Sequence, residues 1–237
     1  RRCPGWSWQA FGPAERRRRR GIMPAMQATR ILAIRHGETP WNRDGRLQGH
    51  LDIALNDTGR AQAQRLAQAL AGRDDRIDRV VSSDLARALE TARTVAEAVG
   101  APLTTDAGLR ERCFGDYEGR SFAQVSAEQP AQAERWRRRE PDWAPPGGES
   151  LLQFQERVAQ SVQRLAAESM GKQLALFTHG GVLDVLYREA TGLGLQDART
   201  WQLGNAAINR LLWTPDGGLA LVGWADTSHL DQEILDE

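Results

Sequence analysis

The sequence predicts an α/β fold: a three-layer sandwich with a mostly parallel central sheet, helices on both faces and a small helical cap. Three observations carry this. Short apolar runs at residues 31–34 and 174–178 read as buried strands. Stretches with apolar residues at helical spacing alternate with such runs, the pattern of a parallel sheet with crossover helices. Two of the runs end in His-Gly, at 36 and 179, and loops at the carboxyl ends of parallel strands are where open α/β sheets place their ligands.

The chain of 237 residues is long enough for one sizeable domain, and no linker or repeat divides it. One domain is expected over 26–237, after a basic tail over 1–25. With 41% apolar and 26% charged residues, the composition is that of an ordinary soluble globular protein. The formal charge is +0, but residues 1–25 hold seven Arg and one Glu, so the tail is +6 and the body −6. An acidic body argues against a broad nucleic-acid surface, so an anion site has to be a local arginine cluster. The tail, with five adjacent arginines at 16–20, reads either as a basic arm for nucleic acid or membrane or as a disordered segment. Its lack of apolar periodicity favours disorder, and Met23 or Met26 would make natural starts, leaving it as translated upstream sequence. No apolar core follows the arginines, as a signal peptide requires. No stretch approaches the length of a membrane span. Two cysteines, Cys3 and Cys113, form neither a disulfide framework nor a zinc pattern, which fits a reducing, cytoplasmic setting.

A strand is expected over 30–35, then a loop through Asn42, Arg46, Gln48 and Leu51. Asn56 is placed to cap a helix over 57–71, with Ala63, Leu66, Ala67 and Leu70 on its inner face. A second strand follows at 77–82. Ser83-Asp84-Leu85-Ala86-Arg87-Ala88 opens a helix with Leu85, Ala88, Leu89, Ala92, Val95, Ala96 and Val99 inward, ended by Gly100. Arg87 lies in its first turn, off that face, where a cation opposes the helix dipole. It is either solvated or placed there for function. A short edge strand is expected near Leu103.

Residues 109–119 (Leu-Arg-Glu-Arg-Cys-Phe-Gly-Asp-Tyr-Glu-Gly) have no periodicity and suggest a loop turning beside a pocket, with Glu111 and Glu118 as candidate acids. Residues 121–139 read as two short helices broken by Pro130. Within them, 135–139 (Arg-Trp-Arg-Arg-Arg) reads as an exposed cationic face with Trp136 packing inward, or alternatively as a substrate-facing lid. Ser150 and Gln153 resemble a capping box for a long helix with Leu151, Phe154, Val158, Val162 and Leu165 on one side. The strand ending at His179 leads into a helix with Val182, Val185, Leu186 and Ala190 inward, whose N-terminus favours anions. Residues 206–213 and 219–224 flank Thr-Pro-Asp-Gly-Gly, a hairpin signal, and the acidic residues 231–237 are expected to fray.

At the first strand end, His36 titrates near neutrality and offers a nucleophile or base. Arg35 offers a planar cationic fork suited to phosphate or carboxylate. Together they suggest attack on an anion. If both His-Gly strands lie centrally in one parallel sheet, the two imidazoles meet above the same edge.

That layout resembles the histidine phosphatase superfamily, also called phosphoglycerate-mutase-like. The resemblance rests on Arg35-His36-Gly37-Glu38-Thr39 with Asn42, on 83–88, on Leu109-Arg110-Glu111 with Gly115 and Glu118-Gly119, and on Thr178-His179-Gly180. The motifs run in the family's order over about 28–229. It implies that His36 is the nucleophile, forming a phosphohistidine. Arg35, Arg87, His179 and Gly180 would surround the phosphoryl group, with Asn42 hydrogen-bonding it. Glu111 would be the proton donor, and Glu118 is the runner-up. Glu38 and Thr39 would shape the phosphate loop. His50 and His229 are expected to be structural or peripheral, with His229 near the entrance, and Trp41 either flanks the substrate or packs at the rim.

No cluster suggests a metal, and no cofactor is expected. The expected partner is a small phosphomonoester, with no nucleic acid and no membrane; the sequence does not specify an oligomeric state. The resemblance favours a phosphatase over a mutase, because residues 121–149 leave no recognisable mutase-type insertion. Phosphoglycerate-mutase-type transfer at the same site is the alternative, and a non-catalytic phosphate-binding module the second.

Overall fold

The structure, a computed structural model, describes residues 28–73 and 76–231. The expectations for the tail over 1–25 and for the acidic residues 232–237 lie outside the described residues.

In chain order the strands are β1 (Thr29–Arg35), β2 (Arg79–Ser82), β3 (Leu103–Thr105), β4 (Gln173–Thr178), β5 (Ile208–Thr214) and β6 (Gly218–Asp226). They form one sheet in the order β3-β2-β4-β1-β5-β6. The first four are mutually parallel, and β5 and β6 add an antiparallel hairpin. The helices are α1 (Pro40–Arg43), α2 (Asp57–Ala71), α3 (Ala86–Val99), α4 (Phe122–Glu128), α5 (Pro130–Arg137), α6 (Leu151–Ala167) and α7 (Gly180–Thr191).

The period-2 geometry of β1 and β4 builds the three layers. Ile31, Ala33, Leu174 and Leu176 face α6 and α7, packing on Phe154, Val158, Val162, Leu165, Val182 and Leu186. Leu32, Ile34, Ala175 and Phe177 face α2 and α3, packing on Leu66, Leu70, Ala92 and Val95. The central runs of both strands, 31–34 and 174–177, are therefore apolar throughout because both of their faces are covered. Each fully buried Leu, Ile or Phe contributes about 1.5–3 kcal/mol by leaving water. The cap is a separate aromatic cluster, in which Tyr117, Val125 and Trp143 pack with Phe114 and Trp136.

The expected start and stop signals act as expected. The Asn56 side chain accepts from Gly59 N–H at the start of α2, and Ser150 and Gln153 form a reciprocal capping box on α6. Gly100 ends α3 in the left-handed conformation; Gly192, where the sequence gives no expected stop, ends α7 in the same way. Pro130 opens α5 as its first residue.

Two strands begin two residues later than expected. β2 begins at Arg79 rather than 77, because its ladder with β4 starts there, while Asp78 bonds Gln173 through its own N–H and its carboxylate. β5 begins at Ile208 rather than 206, because Ala206 takes a left-handed φ of 55° and turns its N–H back to the carbonyls of Arg35 and His36.

β4 is inserted between β1 and β2, although β2 follows β1 in the chain. The crossover from β1 runs over one face and the helix leading into β4 packs on the other. The carboxyl ends of β1 and β4 therefore open at a topological switch point, the place where such sheets bind ligands.

Candidate active site

β1 and β4 pair in register, Arg35 opposite Thr178, so the next residues, His36 and His179, leave the sheet side by side. The His36 N–H extends the ladder to the Thr178 carbonyl at 3.0 Å. The two imidazole centroids are 5.2 Å apart, tilted by 58°. Two residues separated by most of the chain are thus brought together by one strand pairing.

His36 is 2% exposed. Its Nδ1 lies 2.6 Å from the Gly37 carbonyl, which can only accept, so the ring proton is on Nδ1 and Nε2 carries the lone pair. Burial, followed by the charges of Arg35 and Arg87, pushes its pKa well below the usual 6.5, which keeps the ring neutral at physiological pH. His179, wholly buried, has its pKa lowered by burial and then by Arg87, His36 and Arg35. Its Nε2 is 2.9 Å from Ser83 Oγ. A hydroxyl donating there leaves the ring proton on Nδ1, which has no partner among the described residues.

Arg87 projects from the first turn of α3. It is fully buried rather than solvated, because its fork donates to the carbonyls of Leu51 at 2.9 Å and Gly49 at 2.8 Å. Burial lowers its pKa to about 10, with Glu111 opposing, so it stays cationic at neutral pH. Arg35 donates to the Leu203 carbonyl. The Nε atoms of both arginines are buried without a partner among the described residues.

Asn42 lies in α1, whose capping box it closes: its Oδ1 accepts from Thr39 N–H at 3.0 Å and from Thr39 Oγ at 3.1 Å. The oxygen is thereby occupied, which leaves the amide NH2 as the donor open to a ligand. Glu38 accepts from Asn56 and Arg43, so Glu38 and Thr39 shape the loop, as expected.

Glu111 is held over the N-terminus of α7. Its carboxylate accepts from Gly181 N–H at 3.0 Å and from Arg112 N–H at 2.9 Å. It is close enough to Arg35 and Arg87 to oppose the effect of burial on both. Its backbone carbonyl is pinned by His50 at 2.9 Å and Arg157 at 3.1 Å. Glu118 has a structural place, accepting from the N–H groups of His50 and Phe114. His229 is buried but lines neither cavity described below, and Trp41 packs half-buried near Gly119.

Several residues at the site carried no assigned role in the sequence. Ser83 was visible only as the first member of its motif. Asn205, which donates to the His36 carbonyl at 2.9 Å and to Asn42 Oδ1, had no signal beyond a polar residue before a strand. Gly180 opens α7, but Gly181 has the tighter requirement: a Cβ there would lie 2.1 Å from Glu111 Oε1. Arg157 binds the carbonyls of Gly108, Arg110 and Glu111 from the middle of α6, a distant contact that no local pattern encodes.

Two cavities adjoin these groups. One, of about 480 Å³, is lined by Arg35, Gly180, Gly181, Arg199, Trp201, Gln202 and Leu203. The other, of about 190 Å³, is lined by Glu111, Arg112, Phe114, Trp136, Arg139, Phe154, Gly181, Asp184 and Arg199, among others. The two readings of the 135–139 stretch therefore divide by residue. Arg135, Arg137 and Arg138 are exposed and paired with Glu140 or Glu134. Trp136 both stacks on Phe114 and lines the cleft. Arg139 leaves the helix with φ 50° and pairs with Asp184 of α7. Among the described residues, no group of three or more His, Cys, Asp or Glu could hold a metal ion, and no helix is long and apolar enough to cross a membrane.

Comparison with known proteins agrees with this geometry. The family model of the histidine phosphatase superfamily (branch 1) matches residues 31–227. The chain is 36% identical over 204 residues to phosphoglycerate mutase-like protein 4 of Arabidopsis thaliana, covering 85% of this chain and 87% of the relative. It is 33% identical over 206 residues to the metal-independent phosphoserine phosphatase of the same plant, covering 86% and 84%. Among solved structures, a mycobacterial glucosyl-3-phosphoglycerate phosphatase superposes with a TM-score of 0.74 at 32% identity, covering 85% of this chain and all of that one.

Proposed function

The chain belongs to the histidine phosphatase superfamily, and from that premise we propose that it is a phosphomonoesterase that hydrolyses small phosphorylated metabolites through a phosphohistidine on His36. The observation that carries this is the pair of buried imidazoles at 5.2 Å, flanked by the buried Arg87 and the half-buried Arg35. Three buried donors there (Arg35 Nε, Arg87 Nε and His179 Nδ1) lack a partner among the described residues, and each is a type of group that a phosphoryl oxygen satisfies.

In this reading His36 Nε2 attacks phosphorus, and the P–O bond to the alcohol breaks as the N–P bond forms. The Gly37 carbonyl holds Nδ1–H and stabilises the positive charge that grows on the ring. Arg35, Arg87, His179, the Asn42 amide and the N–H of Gly180 surround the equatorial oxygens, where charge stabilisation does most of the catalytic work. A dianion beside His179 raises its pKa and favours the imidazolium. Glu111 protonates the departing alkoxide, then removes a proton from the water that attacks the phosphohistidine.

Residues 26–237 act as one catalytic domain in this proposal, in a cytoplasmic setting and without a resident metal. Relatives carry both phosphatase and mutase names, so turnover to water and return to substrate are measured together. The test is a phosphatase assay with excess chelator on wild type and His36→Ala. Chelator-resistant activity in the wild type that is lost by about 10³-fold or more in the variant is expected, because the step is nucleophilic. Full activity in His36→Ala refutes the proposal. Isomerisation faster than hydrolysis on a phosphoglycerate selects the mutase reading instead.

A further inference from the structure

The cleft beside Glu111 is the space left for the alcohol part of the substrate, and Gly181 and Arg199 continue it into the cavity beside Arg35. A molecule reaching from Arg35 to the aromatic wall of Phe114, Trp136 and Phe154 passes Arg199. Most of the cleft's cations already have partners. Arg112 donates to the carbonyls of Glu149 and Trp143. Arg139 donates to Asp184 Oδ2 at 2.8 Å and to the Leu195 carbonyl at 2.5 Å.

Arg199 differs from both. It is exposed, lines both cavities, and forms no hydrogen bond or ion pair among the described residues. It also stands near enough to Arg35 and Arg139 to lower the pKa of each. An unpartnered cation placed among like charges is unfavourable until an anion joins it.

The loop that carries Arg199 is anchored on its C-terminal side. Trp201 stacks on Tyr187 with ring centroids at 4.1 Å, beneath the Arg188 guanidinium. The Gln202 carbonyl accepts from the Trp224 indole, the Leu203 carbonyl holds Arg35, and Asn205 holds the His36 carbonyl. Arg199 is therefore presented from a segment tied to the phosphoryl-binding end.

The cleft has one further polar feature. Asp184 Oδ1 is buried and lacks a donor, while Oδ2 is shared by Arg139 and Arg188. With two guanidinium groups already balancing Asp184, the free oxygen suits a neutral hydroxyl better than a third cation.

We propose that Arg199 is the specificity-determining residue of this site, binding a carboxylate on the leaving alcohol, so that the preferred substrates are phosphomonoesters of short hydroxy acids. This rests on the phosphomonoesterase reading. The guanidinium fork matches a carboxylate, and Asp184 Oδ1 accepts from a hydroxyl of the same acid. The phosphoryl end is served by Arg35 and Arg87, so Arg199 discriminates among alcohols without serving every phosphate alike.

The test compares 3-phosphoglycerate with glycerol 3-phosphate, which carries CH2OH in place of the carboxylate, with p-nitrophenyl phosphate as the reference for the chemistry. In the full-length wild type, kcat/KM for the acid is expected to exceed that for glycerol 3-phosphate by about tenfold or more, as one charge-assisted contact gives. Arg199→Gln is expected to bring that ratio close to one, through KM for the acid rather than kcat, and Arg199→Lys to retain most of it. The ratio is also expected to shrink with added salt, because the guanidinium is exposed. A wild type that hydrolyses p-nitrophenyl phosphate through His36 with no preference for the acid overturns this inference alone, as does an unchanged ratio in Arg199→Gln. A wild type that turns over none of the three esters overturns the phosphomonoesterase reading, and this inference with it.

Discussion

Glu111 shows how one backbone position sets the place of a side chain. Its carboxylate rests on the N–H of Gly181, where any Cβ would meet Oε1 at 2.1 Å and Phe154 at 3.1 Å. The atom struck first is the free end of a flexible side chain, so Gly181→Ala is expected to move the acid and leave the fold intact. The helix itself gains from alanine, by about 0.5–1 kcal/mol. A fall of about 10–100-fold in kcat on alkyl phosphates, the scale of misplaced acid catalysis, is expected with a melting temperature no lower than wild type. Activity and melting temperature measured on one preparation check this; unaltered kcat argues against the placement. Glu111→Gln makes the complementary test. It is expected to slow esters of poor leaving groups far more than p-nitrophenyl phosphate, whose leaving group needs little protonation, and equal slowing of both denies Glu111 the acid role.

At the scale of elements, the loop after β1 sits on the first turn of α2 with no room for a side chain. A Cβ on Gly59 would lie 2.1 Å from the Glu38 carbonyl oxygen, and one on Gly37 would lie 2.4 Å from that of Gly59. Here the obstacle is backbone. Gly59→Ala is therefore expected to cost about 1–3 kcal/mol of stability, outweighing the helix gain, and to lower activity because the loop shifts. Urea unfolding combined with kcat/KM tests it; a stabilised, fully active variant contradicts the packing. The elements themselves were legible wherever a local cause made them. The unbroken apolar runs of β1 and β4, the caps at Asn56 and Ser150, and the Pro130 break each carried their own signal. The boundaries at Arg79 and Ile208 did not, because one depends on where the ladder with β4 starts and the other on Ala206 turning its N–H to the carbonyls of Arg35 and His36. Arg139 escaped the helical pattern for a similar reason, since Asp184, which holds it, lies on α7.

Across the whole molecule, the site was readable to the extent that its residues stand at strand and helix ends. Arg35, His36, Arg87, Glu111 and His179 were named from the sequence, and the fold gathers them within electrostatic range of one another. The supporting contacts were not readable: Arg157 to the Glu111 loop, Asn205 to the His36 carbonyl and Leu203 to Arg35 all join distant segments. Gathering two buried imidazoles beside two arginines has a consequence for stability. Both histidines have folded-state pKa values well below the ordinary 6.5. As pH falls below about 6.5 the unfolded chain takes up these protons before the folded chain does, so this stability is present above that pH and lost below it. Each histidine contributes a slope of up to about 1.4 kcal/mol per pH unit in that window. Unfolding free energy measured from pH 7 down to about pH 5 is expected to fall, and His179→Ala to fall less steeply than wild type. Equal slopes would mean that the ring is not held neutral.

The central claim is that His36 Nε2 accepts the phosphoryl group. It is tested most directly by quenching the enzyme in alkali during turnover and locating the covalent phosphate by mass spectrometry. The account predicts an acid-labile, alkali-stable phosphate on His36, absent from His36→Ala; phosphate on any other residue, or turnover by His36→Ala at the wild-type rate, would contradict it.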